Sequence, residues 1–261
     1  MNKPVKPGKV WLVGAGPGDP ELLTIKAARV LGEADVWLLD DLVSPEMLRY
    51  AAPHAEIIAV GKRGGRCSVS QERIHELTLA HALAGRCVAR VKGGDPLLFG
   101  RGGEEAEMLR AHGIPVEAIN GISSGMAAAQ ALGIALTHRD HCHGVTFITA
   151  HTRDDHSPDW HALAAGGTTL VIYMGMSRLA QIRDGLLAGG LPADTPAGVV
   201  MYASGPRERR WVGTLGRLAE ALTAGLGSPA VVLVGGVVGS AWPLAVKGAD
   251  FPAPAEALCT S

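Results

Sequence analysis

An apolar run that halts at paired glycines sets the tightest limit on this fold. Val88, Ala89 and Val91 read as a buried strand, and the run stops at Gly93-Gly94-Asp95-Pro96. Glycine and proline together mark a sharp turn. A second glycine-rich turn follows at Gly100–Gly103, with Arg101, Glu104 and Glu105 beside it. Glycine accepts positive φ and lets a ligand approach the main chain. In an open α/β sheet, the turn after a strand lies at the carboxyl edge, where ligands bind. The stretch reads as a sheet edge built to hold a ligand by its backbone.

The same alternation runs along the chain. Val10–Val13, Val36–Leu39, Ile57–Val60, Val88–Val91 and Val116–Ile119 predict strands. Between them Leu22–Leu31, Pro45–Ala52, Gln71–Ala84 and Glu104–Ala111 carry helical spacing. A second series follows residue 140, with strands at Val145–Thr149, Thr169–Tyr173, Val199–Tyr202 and Val231–Val238 and helices at Leu179–Leu187 and Leu215–Leu226. Such alternation predicts an α/β fold with a parallel or mixed sheet. Composition agrees: 47% of residues are hydrophobic but only 4% aromatic, as in strands covered on both faces. The 261 residues suffice for one large or two small domains. Two α/β units are placed at 8–122 and 140–242. The connecting segment, 123–139, carries an alanine-rich helix. A tail rich in proline and alanine, 243–261, reads as a loose end.

The formal net charge is −1, so no global field favours nucleic acid or an anionic membrane. An anionic partner must be met by local basic clusters. Cys67, Cys87, Cys142 and Cys259 show neither metal nor redox spacing, which fits a reducing, cytoplasmic setting. No signal-peptide pattern opens the chain. No uninterrupted apolar stretch is long enough to span a membrane.

Further motifs lie at predicted strand ends. Gly14-Ala15-Gly16-Pro17-Gly18-Asp19 resembles a dinucleotide loop, and Asp40 falls where a ribose-binding acid would stand. The frame is G-x-G-x-G, however, with Asp19 in the third glycine's place. Pro17 also removes a donor that a pyrophosphate would use. Asp40 and Asp41 close an apolar strand, where a carboxylate can take a proton. Gly61-Lys62-Arg63-Gly64-Gly65-Arg66 places three cations on a loop suited to carboxylate or phosphate. Leu136–His143 is rich in histidine but matches no zinc signature, so no metal is expected, and Arg139 reads as an anion contact. Met174 and Met176 read either as core or as a soft pocket edge.

Together these segments resemble a known family. Val13-Gly14-Ala15-Gly16-Pro17-Gly18-Asp19-Pro20, Leu22-Leu23-Thr24, Asp40 with Leu42-Val43-Ser44, and Val60-Gly61-Lys62-Arg63 are four of its segments. Val91-Lys92-Gly93-Gly94-Asp95-Pro96, Phe99–Glu105, Gly113-Ile114-Pro115 and Leu136-Thr137-His138-Arg139-Asp140 complete the set. In this order, from about residue 8 to 242, they resemble the S-adenosylmethionine-dependent tetrapyrrole methyltransferases, in the branch that C-methylates uroporphyrinogen III.

The resemblance implies a two-domain α/β enzyme with its cleft between the domains. It implies a homodimer that methylates uroporphyrinogen III at C2 and C7 through precorrin-1, giving precorrin-2 for sirohaem, cobalamin or haem d1. By matching position, Pro17, Gly93, Gly94, Asp95, Leu98, Ser123, Ser124, Met174 and Ala203 line the donor site. Arg101, Glu104 and Arg139 face the tetrapyrrole, and Asp40 and Lys62 match positions suggested for proton transfer. Of two acids about 100° apart on one helix start, only one can face the cleft. The resemblance gives that place to Glu104 and leaves Glu105 solvated or favouring the helix N-terminus. Three alternatives stand beside this reading: a sister methyltransferase acting later in the corrin pathway, a nicotinamide-dependent oxidoreductase, and a non-catalytic tetrapyrrole carrier.

Overall fold

The computed structural model describes residues 6–61, 69–151 and 157–241. Lys62, the rest of the basic loop and the tail 243–261 lie outside them. The first half alternates strand and helix: β1 (Val10–Gly14), α1 (Ile25–Glu33), β2 (Val36–Leu39), β3 (Glu56–Ala59), α2 (Gln71–Leu83), β4 (Val88–Lys92), α3 (Gly102–Ala111) and β5 (Val116–Ile119). All five strands are parallel, in the order β3-β2-β4-β1-β5. Every residue of β1, β2 and β4 is buried, because helices cover both faces. Trp11, Val13, Trp37, Leu39, Ala89 and Val91 pack against α1 on one face. Val10, Leu12, Val36, Leu38 and Val88 meet α2 and α3 on the other.

The second half follows α4 (Ser124–Leu132). It contains β6 (Val145–Thr149), α5 (Trp160–Ala165), β7 (Thr169–Tyr173), α6 (Leu179–Ala188), β8 (Pro196–Met201), β9 (Arg209–Thr214), α7 (Glu220–Thr223) and β10 (Ala230–Val234). Its sheet runs β6-β7-β10-β8-β9, parallel only between β6 and β7. Ala127, Ala128, Ala129 and Ala131 of α4 pack on Val171, Val200, Val231 and Leu233, so α4 lies on this second sheet. Small side chains allow that close approach.

Several predicted elements shift. The helix predicted from Leu22 begins at Ile25: Asp19 caps a 3₁₀ turn at Pro20–Leu22, and Thr24 then accepts the Ala27 amide at 3.2 Å. Pro45–Tyr50 is 3₁₀ rather than α-helix. The strand predicted through Val238 ends at Val234, where Gly235 and Gly236 turn the chain into a 3₁₀ segment. The helix predicted at Leu215–Leu226 divides into a 3₁₀ turn and the short α7. Strand β9 and helix α5 were not predicted. Arg209-Arg210-Trp211-Val212-Gly213-Thr214 has no exposed-buried contrast, because an edge strand with polar ends lacks the period-two pattern.

The edge strand β5 carries one pH-sensitive cluster. Lys9 and Lys26 both pair with Glu117, and their hydrogen bonds lower its pKa to about 2. A carboxylate depressed in the folded state adds stability above its unfolded value, and that stability is lost as pH falls through the folded value. Urea unfolding should therefore show Glu117→Gln less sensitive than the parent between pH 5 and 2. High salt should shrink the difference, because the cluster is partly open to solvent.

Candidate active site

The two central strands of the first sheet create the site. The chain leaves β1 towards α1 and β2 and leaves β4 towards α3 and β5, so the two loops depart to opposite faces. This is a topological switch point, the place where open α/β sheets bind ligands. The loops touch before they part. The Gly94 amide donates to the Gly16 carbonyl at 2.7 Å, and the Gly16 amide returns a bond at 3.2 Å. Both residues have positive φ, +72° and +68° respectively for Gly16 and Gly94. The loop from β5 joins them: a Cβ on Gly14 would lie 2.5 Å from the Gly121 nitrogen. The sequence suggested glycines cleared for a ligand. At Gly16 and Gly94 the amides are spent on each other, while the faces without a Cβ turn towards Leu22 and towards Ser123 and Ser124 respectively.

Asp95 ties the crossing together. Its Oδ2 accepts the Gly121 amide and Asn120 Nδ2, both at 3.1 Å, and its Oδ1 accepts the Leu97 amide at 2.8 Å. Hydrogen bonds to a charged acceptor contribute ~1.5–3 kcal/mol each. Asp95→Ala should therefore weaken S-adenosylhomocysteine binding by calorimetry, at least tenfold if the turn shapes the donor pocket. Unaltered affinity would remove Asp95 from that role.

The second half closes over this edge. Ser123 Oγ and the Tyr173 hydroxyl are 2.5 Å apart, and the Gly125 amide donates to that hydroxyl at 2.9 Å. The Phe99 ring lies 4.9 Å from Tyr173. Leu98 packs against the cluster that holds Tyr173 and Ala203. A Cβ on Gly18 would stand 3.2 Å from the Gly205 backbone, and the Asp19 amide donates to Ser204 Oγ at 3.2 Å. Phe99, Arg101, Met174, Tyr202 and Ser204 all hold left-handed φ between +50° and +61°. Such backbone costs ~1–3 kcal/mol per residue and gathers at functional sites. All five follow β4, β7 or β8 at the meeting edges. A groove of about 650 Å³ opens beside this contact, lined in part by Leu22, Met126, Ser204 and Arg210.

Pro17, Gly93, Gly94, Asp95, Leu98, Ser123, Met174 and Ala203 thus occupy loops after β1, β4, β5, β7 and β8, and Ser124 is the first residue of α4. Gly94 lies directly against Ser123 and Ser124. Ala203 and Ser123 are buried, while Met174 is 49% exposed. These walls are small, apolar or hydroxylated, and their only charge is the Asp95 carboxylate. That set suits a nucleoside bearing a cationic centre. The oxidoreductase alternative loses its footing: Gly14–Gly18 leads into a 3₁₀ turn, and α1 starts only at Ile25, so no helix N-terminus opens on the loop.

Arg101 and Glu104 are exposed at the start of α3 and hold each other, with Nη2 to Oε2 at 2.6 Å. That pairing raises the Arg101 pKa further. Arg139 is exposed after α4, and Asp40 stands at the end of β2 with its side chain 29% exposed. Lys62 lies outside the described residues. Glu105 is a correction. It is 3% exposed and accepts Lys92 Nζ and Gln71 Nε2, both at 3.0 Å, so it is neither solvated nor a helix-end charge. Arg90 and Lys92, its partners, were absorbed into an apolar strand by the sequence reading. Two cations inside VARVK were the signal, since lone buried charges are rare. His138 and His141 stack at 4.7 Å, but among the described residues no group of three or more His, Cys, Asp or Glu could hold a metal ion.

Fold and site together define a two-sheet α/β protein whose strand-end loops meet between its halves. The family model for Tetrapyrrole (Corrin/Porphyrin) Methylases matches residues 9–219, and the chain belongs to that family. It is 54% identical over 231 residues to the uroporphyrinogen-III C-methyltransferase of Pseudomonas aeruginosa, spanning 88% of this chain and 94% of that one. The uroporphyrin-III C-methyl transferase of Thermus thermophilus, solved with S-adenyl homocysteine, is 42% identical with a TM-score of 0.77, over 88% of this chain and 93% of that one. A cobalt precorrin-4 methyltransferase is similar too, 30% identical with a TM-score of 0.79, over 88% and 95%.

Proposed function

We propose that this chain transfers methyl groups from S-adenosylmethionine to C2 and C7 of uroporphyrinogen III, giving precorrin-2 through precorrin-1. The observation that carries it is the meeting of the strand-end loops: a glycine-lined donor wall whose one charge is the Asp95 carboxylate, beside a separate set of exposed charges, Arg101, Glu104 and Arg139. The 54% identity to a relative of that name favours it over a later corrin-pathway methyltransferase. When bound, S-adenosylmethionine supplies an electrophilic methyl group. Pro17, Gly93, Gly94, Asp95, Leu98, Ser123, Ser124, Met174 and Ala203 hold and orient it. Positioning of this kind can lower a barrier by ~7–11 kcal/mol in favourable cases. Arg101 and Arg139 receive the substrate's carboxylates, and Glu104 accepts the pyrrole N–H groups. Asp40, with Lys62, handles the proton released after methylation. The same resemblance supports a cytoplasmic homodimer built from units 8–122 and 140–242. Among the described residues, no helix is long and apolar enough to cross a membrane.

The direct test is anaerobic incubation with uroporphyrinogen III and labelled donor, reading the number of methyl groups added. Two methyl groups support the proposal; none, or turnover only of a later precorrin, rejects it. Arg101→Ala and Arg139→Ala should each lower kcat/KM for the tetrapyrrole by roughly tenfold or more, since each removes a charge-assisted contact. S-adenosylhomocysteine affinity should stay near the parent's. Equal loss of both would show an effect on folding.

A further inference from the structure

Strand β4 carries an arginine where its neighbours carry leucine. In register, Arg90 sits between Leu12 of β1 and Leu38 of β2. An aliphatic side chain therefore fits this layer, and a buried ion cluster is a weak source of stability compared with apolar packing. The guanidinium is 4% exposed and each side of it has an address. Nη1 donates to the Leu38 carbonyl at 3.2 Å and the Val91 carbonyl at 3.3 Å. Nε faces Glu105 Oε1 at 3.5 Å, and Lys92 holds that same oxygen. Nη2 faces Asp40 Oδ2 at 3.7 Å. Asp40 is the cluster's one member open towards solvent. Its amide donates to the Val91 carbonyl at 3.1 Å, and its Oδ1 accepts the Asp41 amide at 2.9 Å.

We propose that Arg90 is a positioning residue for methyl transfer, aiming the Asp40 carboxylate at the cleft from behind. The fork is rigid and permanently charged. Main chain on β2 and β4 holds Nη1 and the Glu105–Lys92 pair faces Nε, so Nη2 is the side that presents positive charge to Asp40. The attraction at this range is Coulombic rather than a hydrogen bond. The inference rests on the reading that Asp40 handles a proton of the tetrapyrrole.

The test is a double-mutant cycle on single-turnover methylation of uroporphyrinogen III, using Arg90→Met, Asp40→Asn and both together. Arg90→Met keeps the stem's volume and leaves Lys92 paired with Glu105, so the fold should survive. Arg90→Met should slow turnover about tenfold while KM and S-adenosylhomocysteine affinity hold, and it should add less than about twofold in the Asp40→Asn background. Equal losses in both backgrounds would mean a structural role and overturn the proposal, as would no loss at all. Full activity of Asp40→Asn alone overturns the Asp40 reading and the inference with it. A parent protein that does not methylate uroporphyrinogen III overturns the functional reading instead. If Arg90→Met does not fold, Arg90→Lys enters the same cycle: it keeps the charge, loses the fork and should show the same dependence on Asp40.

Discussion

Glu105→Gln will destabilise the fold by about 3–5 kcal/mol, while Glu104→Gln will change stability by less than about 0.5 kcal/mol. The neighbours differ in what they touch. Glu105 is buried and is the carboxylate set between Lys92 and Arg90, themselves 6% and 4% exposed. Removing its charge leaves two cations in a low-dielectric layer, and breaking one side of a buried ionic cluster is costly. Lys92 already shows the stress: burial first, then Arg90, push its pKa below 10.5, and Glu105 opposes that shift. The unfolded chain binds the Lys92 proton more tightly than the folded one. Stability therefore rises with pH from the folded value towards 10.5. Glu105→Gln should widen that window downwards and steepen the alkaline gain. Glu104 is 54% exposed and pairs with Arg101 at the helix surface, a contact of little stability value. Urea unfolding at several pH values measures both variants. Equal destabilisation would refute the burial argument. Glu104→Gln should instead slow methyl transfer, which a single-turnover assay reads separately.

The contrast between these residues shows what the sequence could carry. Periodicity found β1, β2, β4 and β7, because strands covered on both faces are apolar throughout. It missed β9, whose edge position leaves Arg209 and Thr214 free to be polar. The glycine turns marked the sheet edge correctly, since only a few residue types reverse the chain so sharply. Their purpose was not legible: a glycine next to a ligand and a glycine next to Gly121 look alike in one dimension. Glu104 and Glu105 are equally ambiguous, because 100° of helix rotation decides burial only once β4 is in place. Arg90 and Lys92 were visible as anomalies but had no partner until α3 packed over them. The contact between Ser204 and Asp19 joins residues 185 positions apart, and no local signal predicts it.

Gly121→Ala should produce the second large effect, a fall in S-adenosylhomocysteine affinity of tenfold or more with a stability loss of ~1–3 kcal/mol. The added Cβ would lie 2.2 Å from the Gly94 carbonyl oxygen and 2.8 Å from the Gly14 carbonyl carbon. Both obstacles are backbone, so no side chain can swing aside. Relief requires the β4 loop to retreat from the β5 loop. That retreat pulls on the pair of bonds between Gly16 and Gly94 and on the Gly121 amide held by Asp95. The proposed donor wall therefore changes shape even where none of its proposed lining residues has been replaced. Gly103→Ala is the matched control. Its Cβ meets nothing within 4 Å, and the position lies inside α3, where alanine is the better helix former. It should raise stability by up to ~1 kcal/mol and leave affinity unchanged. Calorimetry beside urea unfolding separates the outcomes. A Gly121→Ala protein that loses stability but binds S-adenosylhomocysteine like the parent would show that the crossing supports the sheet without shaping the donor site. Loss of both, with Gly103→Ala silent, is the result expected if the meeting of three backbones is what forms the pocket.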